Sequence, residues 1–305
     1  MSISIGEFNY LPKDTQQIIP HEVDENFNFL LIYNLPKLTS KFGKERIAIN
    51  EAIEGFRWNS NFIRSISARH DRSIEDLKSA GLSTDSFSSK MNWRMVIGLG
   101  TAHPQETSMT LHHIYGIPYI PGSAIKGVTR HWFILKTFDE LGITEFAQIS
   151  CLEKMLENSD DEDSKISKEA FKKKFITKKI VPSDTLYDFF TERKDMIGLY
   201  RDIFGTQGNA GKVQFFDAYP VGEIKLKLDI MNPHYPEYYS GSEPPTDSQD
   251  PNPIKFLTVE NTEFKFHIAS KNPELLKKAK NYLIESLKEH GIGAKTAIGY
   301  GYFGI

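Results

Sequence analysis

The chain has 305 residues, with 37 Lys and Arg against 40 Asp and Glu and a formal net charge of -3. Aromatic residues at 12% and charged residues at 25% match a water-soluble globular protein and exclude a low-complexity or polybasic one. One cysteine, Cys151, excludes an intrachain disulfide or a zinc site of paired cysteines, and no apolar run reads as a membrane span. At about 150 residues per domain, the length predicts two domains or one enlarged by insertions. The first residues lack the basic segment and apolar core of a signal peptide, so the expected setting is cytoplasmic. Nucleic-acid binding stays open, because it follows local rather than total charge.

Residues 1–20 are expected to form an extended arm holding Pro12 and Pro20. Asp24 is placed to cap a helix through Phe27, Leu30, Leu31 and Leu35, ended by Pro36. Ile47, Ile49, Ala52, Ile53 and Phe56 carry a second helical pattern. Residues 59–90 are too polar to assign, and 92–98 predict a strand. Tyr119-Ile120-Pro121-Gly122-Ser123 reads as a strand running into a turn. Gly122 or Ser123 is placed to cap a helix over 124–141, stopped by Gly142, with Ile125, Val128, Trp132, Leu135 and Phe138 as its buried stripe. Lys126 and Arg130, four apart, fall on the other face.

Residues 157–163 carry five acids and no base, whereas 165–180 carry seven Lys against one Glu. This pattern predicts a solvated acidic loop leading into an exposed basic helix. A glycine-rich turn at 205–211 leads through Lys212 into a strand ending at Pro220. Residues 232–253 hold six of the fifteen prolines, with Tyr235, Tyr238 and Tyr239, and are expected as an extended excursion. Residues 254–270 predict a single strand. Asn272 and Pro273 open a last helix, with Leu275, Leu276, Ala279, Tyr282, Leu283 and Leu287 as its apolar stripe and Gly291 as its end. A glycine-rich loop at 291–299 precedes a final strand at 300–303. The order is that of a ferredoxin-like (RRM-like) β-α-β-β-α-β core of α+β class, with its helices on one face of a four-stranded antiparallel sheet.

Several motifs match known chemistry only by letter. Gly299, Gly301 and Gly304 fit G-x-G-x-x-G, but no helix follows to hold a pyrophosphate. The loop at 291–296 lacks the glycine before its lysine that a P-loop needs, and it follows a helix instead of opening one. It retains the means to bind an anion: glycines that let amide groups converge, and the charge of Lys295. His103, His112 and His113 cluster with Glu106, yet His112 and His113 would point apart in a strand, so no metal site is expected. His70-Asp71, between Arg69 and Arg72, is expected as an exposed polar loop, with phosphate contact as the sharper alternative. Cys151 is expected in the core.

Three blocks stand in a recognisable order: 117–130, 204–218 and 291–303. The first is Ile-Pro-Tyr-Ile-Pro-Gly-Ser-Ala-Ile-Lys-Gly-Val-Thr-Arg, and the last is the glycine-rich loop with its final strand. Together they resemble the RAMP superfamily of CRISPR proteins. Residues 98–107, followed by Leu111 and His112, and residues 229–235 are further similar to the sixth-subunit family of the type III-B Cmr interference complex. The resemblance covers 90–305. It implies a core domain at 91–305 with insertions near 143–200 and 231–256, and an N-terminal helical or irregular extension at 1–90. It implies a non-catalytic subunit with no cofactor, seated near the 3′ end of the guide RNA (crRNA) and capping the backbone filament. Its partners would be crRNA, target RNA and neighbouring Cmr subunits.

The expected RNA-binding residues are Ser123, Lys126, Arg130, Lys212, Gly291, Gly293, Lys295 and Thr296. A subunit that accepts every guide should read phosphate and shape rather than base edges. The proline-rich excursion resembles the family's protruding hairpin, but 237–251 has four acids and no base, which favours a protein neighbour. The alternatives are a metal-independent endoribonuclease using His70, His103 or His112, and another type III backbone or end subunit.

Overall fold

A computed structural model describes residues 54–101, 103, 107–158, 166–231 and 253–305, with shorter stretches at 3–4, 22–25, 28–29, 33, 38–39 and 46–47. The expected N-terminal arm, the helix at 24–35, most of the acidic run and the excursion at 232–252 lie wholly or largely outside the described residues. Ile47, expected in a helix, lies instead in a two-residue strand, Arg46–Ile47, paired with Leu38–Thr39. Among the described residues, no helix is long and apolar enough to cross a membrane.

The polar stretch that defies assignment contains a long helix and the central strand. Helix α1 spans Ser60–Ser79 and is capped by the Asn59 side chain, which accepts from the amides of Asn61 and Phe62. Its buried side is only the narrow stripe of Ile63, Ile66 and Ile74. Strand β1, Ser83–Met91, follows, and β2 is limited to Arg94–Met95. The strand expected at 92–98 is therefore mostly connection, and the sheet begins earlier, within the stretch expected as an extension.

Helix α2 spans Gly122–Glu140. Pro121 is its N-cap residue, and the cap is supplied from afar: Asp217 Oδ1 accepts from the Gly122 amide at 2.7 Å. Its buried face is Ile125, Thr129, Phe133, Ile134, Thr137 and Phe138, rotated from the expected stripe. Thr129 tolerates burial because its hydroxyl donates to the Ile125 carbonyl at 2.8 Å. Trp132 stays nearer solvent because its indole N–H reaches Glu285 at 3.1 Å.

Four helices fill the first insertion: α3 (Gln148–Asn158), α4 (Lys168–Phe175), α5 (Asp184–Glu192) and α6 (Lys194–Phe204). They pack around Phe171, Phe175, Phe189, Phe190 and Tyr200, and Cys151 is fully buried there as expected. Then come β3 (Val213–Phe215), β4 (Tyr219–Pro220) and β5 (Lys225–Met231). The single strand expected at 254–270 is two, β6 (Ile254–Glu260) and β7 (Glu263–Ser270), divided at Asn261, whose φ is 48°. Helix α7 (Pro273–Glu285) continues through a π turn, Ser286–His290, to Gly291, and β8 is Phe303–Gly304.

The main sheet runs β8-β1-β7-β3, with β4 also on β7, and all its pairs are antiparallel. A second antiparallel sheet runs β2-β6-β5, and its β5–β6 ladder pairs seven residues, from Lys225 opposite Glu260 to Met231 opposite Ile254. Successive side chains on a strand face opposite sides. On β7, Phe264 and Phe266 meet Phe303 and Phe87, while Lys280 of α7 reaches Asp85 beside Phe87 at 2.8 Å. Lys265 and His267 point the other way, to Asp71 of α1 at 2.8 and 3.1 Å. Helices therefore cover both faces of the sheet, not one as expected, because the helix hidden in the polar stretch occupies the second face.

Arg94 joins the two sheets. Its guanidinium donates to Asp229 of β5 at 2.5 Å and to Glu260 of β6 at 3.1 Å, and its carbonyl accepts from the Gly301 amide at 2.7 Å. The Tyr300 hydroxyl donates to the same Asp229. Burial alone would raise the Asp229 carboxyl, but Tyr300, the Ile230 amide and Arg94 hold it below its ordinary value. Burial, then Asp229, pushes the Tyr300 hydroxyl up to about 12.

Two outcomes follow from this packing. His267 is 4% exposed, and burial, then neighbouring His70, push its pKa down to about 4. The unfolded chain takes up this proton near pH 6.5 while the folded chain resists, so stability present above pH 6.5 is lost as pH falls toward 4, by roughly 3 kcal/mol from this group. The urea midpoint should drop between pH 7 and 4.5, and His267→Gln should flatten that drop; an equally steep loss in the variant would reject the assignment. Arg94→Ala leaves two carboxylates facing each other. With side chains 16% and 24% exposed, the loss should be about 2 kcal/mol, below that of a fully buried pair. Faster hydrogen exchange at the Gly301 amide should accompany it.

Candidate nucleic-acid interface

Helices α2 and α7 pack antiparallel. Glu285 accepts from Trp132 and from Lys136 (2.8 Å), and His290 lies 5.0 Å from His131 between ring centroids. Moving forward along α7 thus means moving back along α2, and His290 lies beside the middle of α2, at His131.

That loop is held by backbone bonds. The Ile292 amide donates to the Gly301 carbonyl at 2.9 Å, and the Ala294 amide to the Val96 carbonyl at 2.8 Å. Gly293 has φ 97°, and a Cβ there would lie 2.5 Å from the Val96 carbonyl oxygen; at Gly301 (φ 74°) one would strike the Ile292 backbone. These glycines serve turn and contact geometry. Lys295 is left-handed (φ 64°) and opens a short 3-10 turn, Thr296–Ile298. The amides of Gly293, Lys295, Thr296 and Ala297 have no backbone acceptor among the described residues. Successive free amides around a left-handed residue make a concavity that suits an anion.

The expected basic residues separate into two groups. Lys126 is half-buried and meets no carboxylate among the described residues; Lys295 likewise meets none and lies 5.2 Å from the Phe256 ring centroid. Ser123 is exposed on the first turn of α2, Thr296 is half-buried and Gly291 is buried. Arg130 is engaged inside the fold: it donates to Tyr200 at 2.7 Å, to Glu153 at 2.8 Å and to Glu157. Lys212 pairs with Asp202 at 2.6 Å. The partners of both come from the helical insertion, so their sequence neighbours give no sign of the pairing. Asp217 also occupies the Gly122 amide, so the start of α2 is less open to phosphate than its dipole suggests.

Among the described residues, no three His, Cys, Asp or Glu groups stand together in a way that could hold a metal ion. His112 and His113 lie in a turn instead of a strand, and they stack instead of diverging, with centroids 5.0 Å apart. His112 Nδ1 accepts from the amides of Ile114 and Tyr115. His103 stacks on Tyr33 at 4.3 Å, and Glu106 lies outside the described residues. His70 belongs to α1, not a loop, and packs against Tyr219 at 5.0 Å and His267 at 4.9 Å. Burial lowers the pKa of His70, His103 and His112.

The family profile of the RAMP superfamily matches residues 94–304. The CRISPR system Cmr subunit Cmr6 of Pyrococcus furiosus is 38% identical over 232 residues, which are 70% of this chain and 65% of that protein, so the chain spans less than two thirds of that relative's length. The crystal structure of Cmr6 from Pyrococcus furiosus aligns at 36% identity over 73% of this chain and 97% of that one, with a TM-score of 0.45. A chain in the cryo-EM structure of the type III-B Cmr-beta complex bound to cognate target RNA aligns at 19% identity over 95% of this chain and 82% of its own length, with a TM-score of 0.57, and shares the fold. The profile covers more than half of the sequence, including α2, the strands β3–β8 after it and the glycine-rich loop; the chain belongs to the RAMP superfamily.

Proposed function

We propose that the chain is the sixth subunit of a type III-B Cmr complex, where it binds crRNA without catalysing its cleavage. In this reading it sits near the 3′ end of the guide, caps the backbone filament, and meets target RNA and the neighbouring Cmr subunits. Identity of 38% to Cmr6 supports the assignment. The observation that carries the RNA part is the glycine-rich loop at 293–297, where four amides have no backbone acceptor and Lys295 meets no carboxylate among the described residues. Amides and lysines contact phosphate without reading base identity. The strand order β8-β1-β7-β3, with α2 and α7 as the connecting helices, supports a ferredoxin-like core, last strand beside first and third beside second. We place the start of that core at Ser83, the first residue of β1.

The engagement of Arg130 and Lys212 narrows the groove to Ser123, Lys126, Gly293, Lys295 and Thr296. In the reconstituted complex, Lys126→Glu and Lys295→Glu should each weaken crRNA binding and lower its salt dependence by about one released ion. Arg130→Gln should instead lower the melting temperature and leave the salt slope alone. Unchanged RNA affinity in both lysine variants would reject the groove. Cleavage of crRNA or target RNA by the isolated protein, lost in His112→Ala or His70→Ala, would reject the non-catalytic role in favour of an endoribonuclease.

A further inference from the structure

We infer that the outer face of α1 and the aromatic cavity beside it form a second contact for single-stranded RNA, apart from the glycine-rich loop. The inference goes beyond the proposed function, because α1 precedes the family-matched residues and lies across the sheet from α7.

Arg57, Arg94, Arg130 and Arg193 each meet a carboxylate. Arg64, Arg69 and Arg72 meet none among the described residues, and all three are exposed. Their contacts are local: Arg64 with Asn61 at 3.5 Å, Arg69 with the Tyr115 hydroxyl at 3.3 Å, and Arg72 with the Ala68 carbonyl at 3.3 Å. At 3.6 residues per turn these side chains share one side of the helix, spread over about 12 Å. The acid among them, Asp71, turns inward to Lys265 and His267. Glu75, further along, pairs with Lys78 at 2.7 Å. The outer face over 64–72 thus carries three arginines with no carboxylate partner among the described residues, and the exposed Asp76 stands one turn beyond Arg72.

Next to this face lies a cavity of about 500 Å³ lined by Glu25, Asn28, Trp58, Asn59, Phe62, Ile114 and Tyr115. Phe62 is 39% exposed and Ile114 62% exposed, and the Phe62 and Tyr115 rings meet edge to face at 6.2 Å. Aromatic walls suit an unstacked base. Glu25 at the lining repels phosphate but accepts from an exocyclic amine, so the base enters the cavity while its phosphate stays at the arginine rim. Arg69, bonded to Tyr115, stands at the junction of the two. Arginine forks match phosphate geometry, which distinguishes this face from the lysine-based groove.

The test uses the full chain, a fluorescein-labelled single-stranded RNA 20-mer of mixed sequence, and the variant carrying Arg64→Gln, Arg69→Gln and Arg72→Gln. These exposed substitutions suit a helix, and an unchanged urea midpoint will verify folding. Affinity by anisotropy should fall roughly tenfold, with the salt slope reduced by two to three. The loss should multiply with that of Lys295→Glu, as expected for separate contacts. If Lys295→Glu is silent while the arginine variant is weak, the groove fails and this contact stands. Ultraviolet crosslinking of wild-type protein to 4-thiouridine RNA should label the peptides containing Phe62 or Tyr115, independently of any variant. Wild-type affinity in the arginine variant together with absent crosslinks would overturn the inference. Wild-type RNA affinity combined with loss of the variant from the assembled complex would also overturn it, assigning the face to an acidic protein neighbour.

Discussion

Arg94 fixes the relation between the two sheets and the glycine-rich loop. Its side chain spans β5 and β6, its carbonyl receives the Gly301 amide, and Tyr300 closes the circuit on Asp229. The loop that presents Lys295 is thereby referenced to the second sheet as well as to α7. An electrostatic anchor of this kind has direction, whereas apolar contact alone leaves a loop free to slide. It also holds Asp229 ionised, so the network keeps its form through the neutral range.

The second constraint is the coverage of both sheet faces. In sheet-based RNA readers, bases stack on an open face. Here α1 lies across that face, with Asp71 set among Lys265, His267 and His70. In the proposed RNA contact, the polyanion would meet loops and helix exteriors, where lysine, arginine and backbone amides dominate. Such groups are indifferent to base sequence, which suits the role proposed above.

Much of this architecture is legible in the sequence where punctuation is strong. Pro121-Gly122 and Gly142 bound α2, and Asn272-Pro273 opens α7, whose observed cap is the Asn272 side chain accepting from Glu274 and Leu275. The failures share a cause. Strand β1 is mostly serine, threonine and charge, and is a strand because β7 and β8 flank it; α1 is helical on three isoleucines and a cap. Neither gives a periodic apolar signal in isolation. Charge was harder still. Lys126 and Arg130 look equivalent at four residues' spacing, yet Arg130 meets Glu153 and Glu157 from an insertion whose docking no local pattern reveals. That Arg64, Arg69 and Arg72 meet no carboxylate among the described residues likewise emerges only once Asp71 is seen to face inward.

The β5–β6 ladder has a bearing on how the molecule could diversify. Its seven paired positions close at Met231 and Ile254, and its base is clamped through Asp229 and Glu260 to Arg94. The chain between those ends enters and leaves from a fixed doorway. Closure entropy grows slowly with the length of a connection, by about 0.6 kcal/mol per doubling. Insertions and deletions there would be nearly neutral to the register of the glycine-rich loop. The segment can therefore vary with whatever lies next to it while the rest of the molecule keeps its alignment.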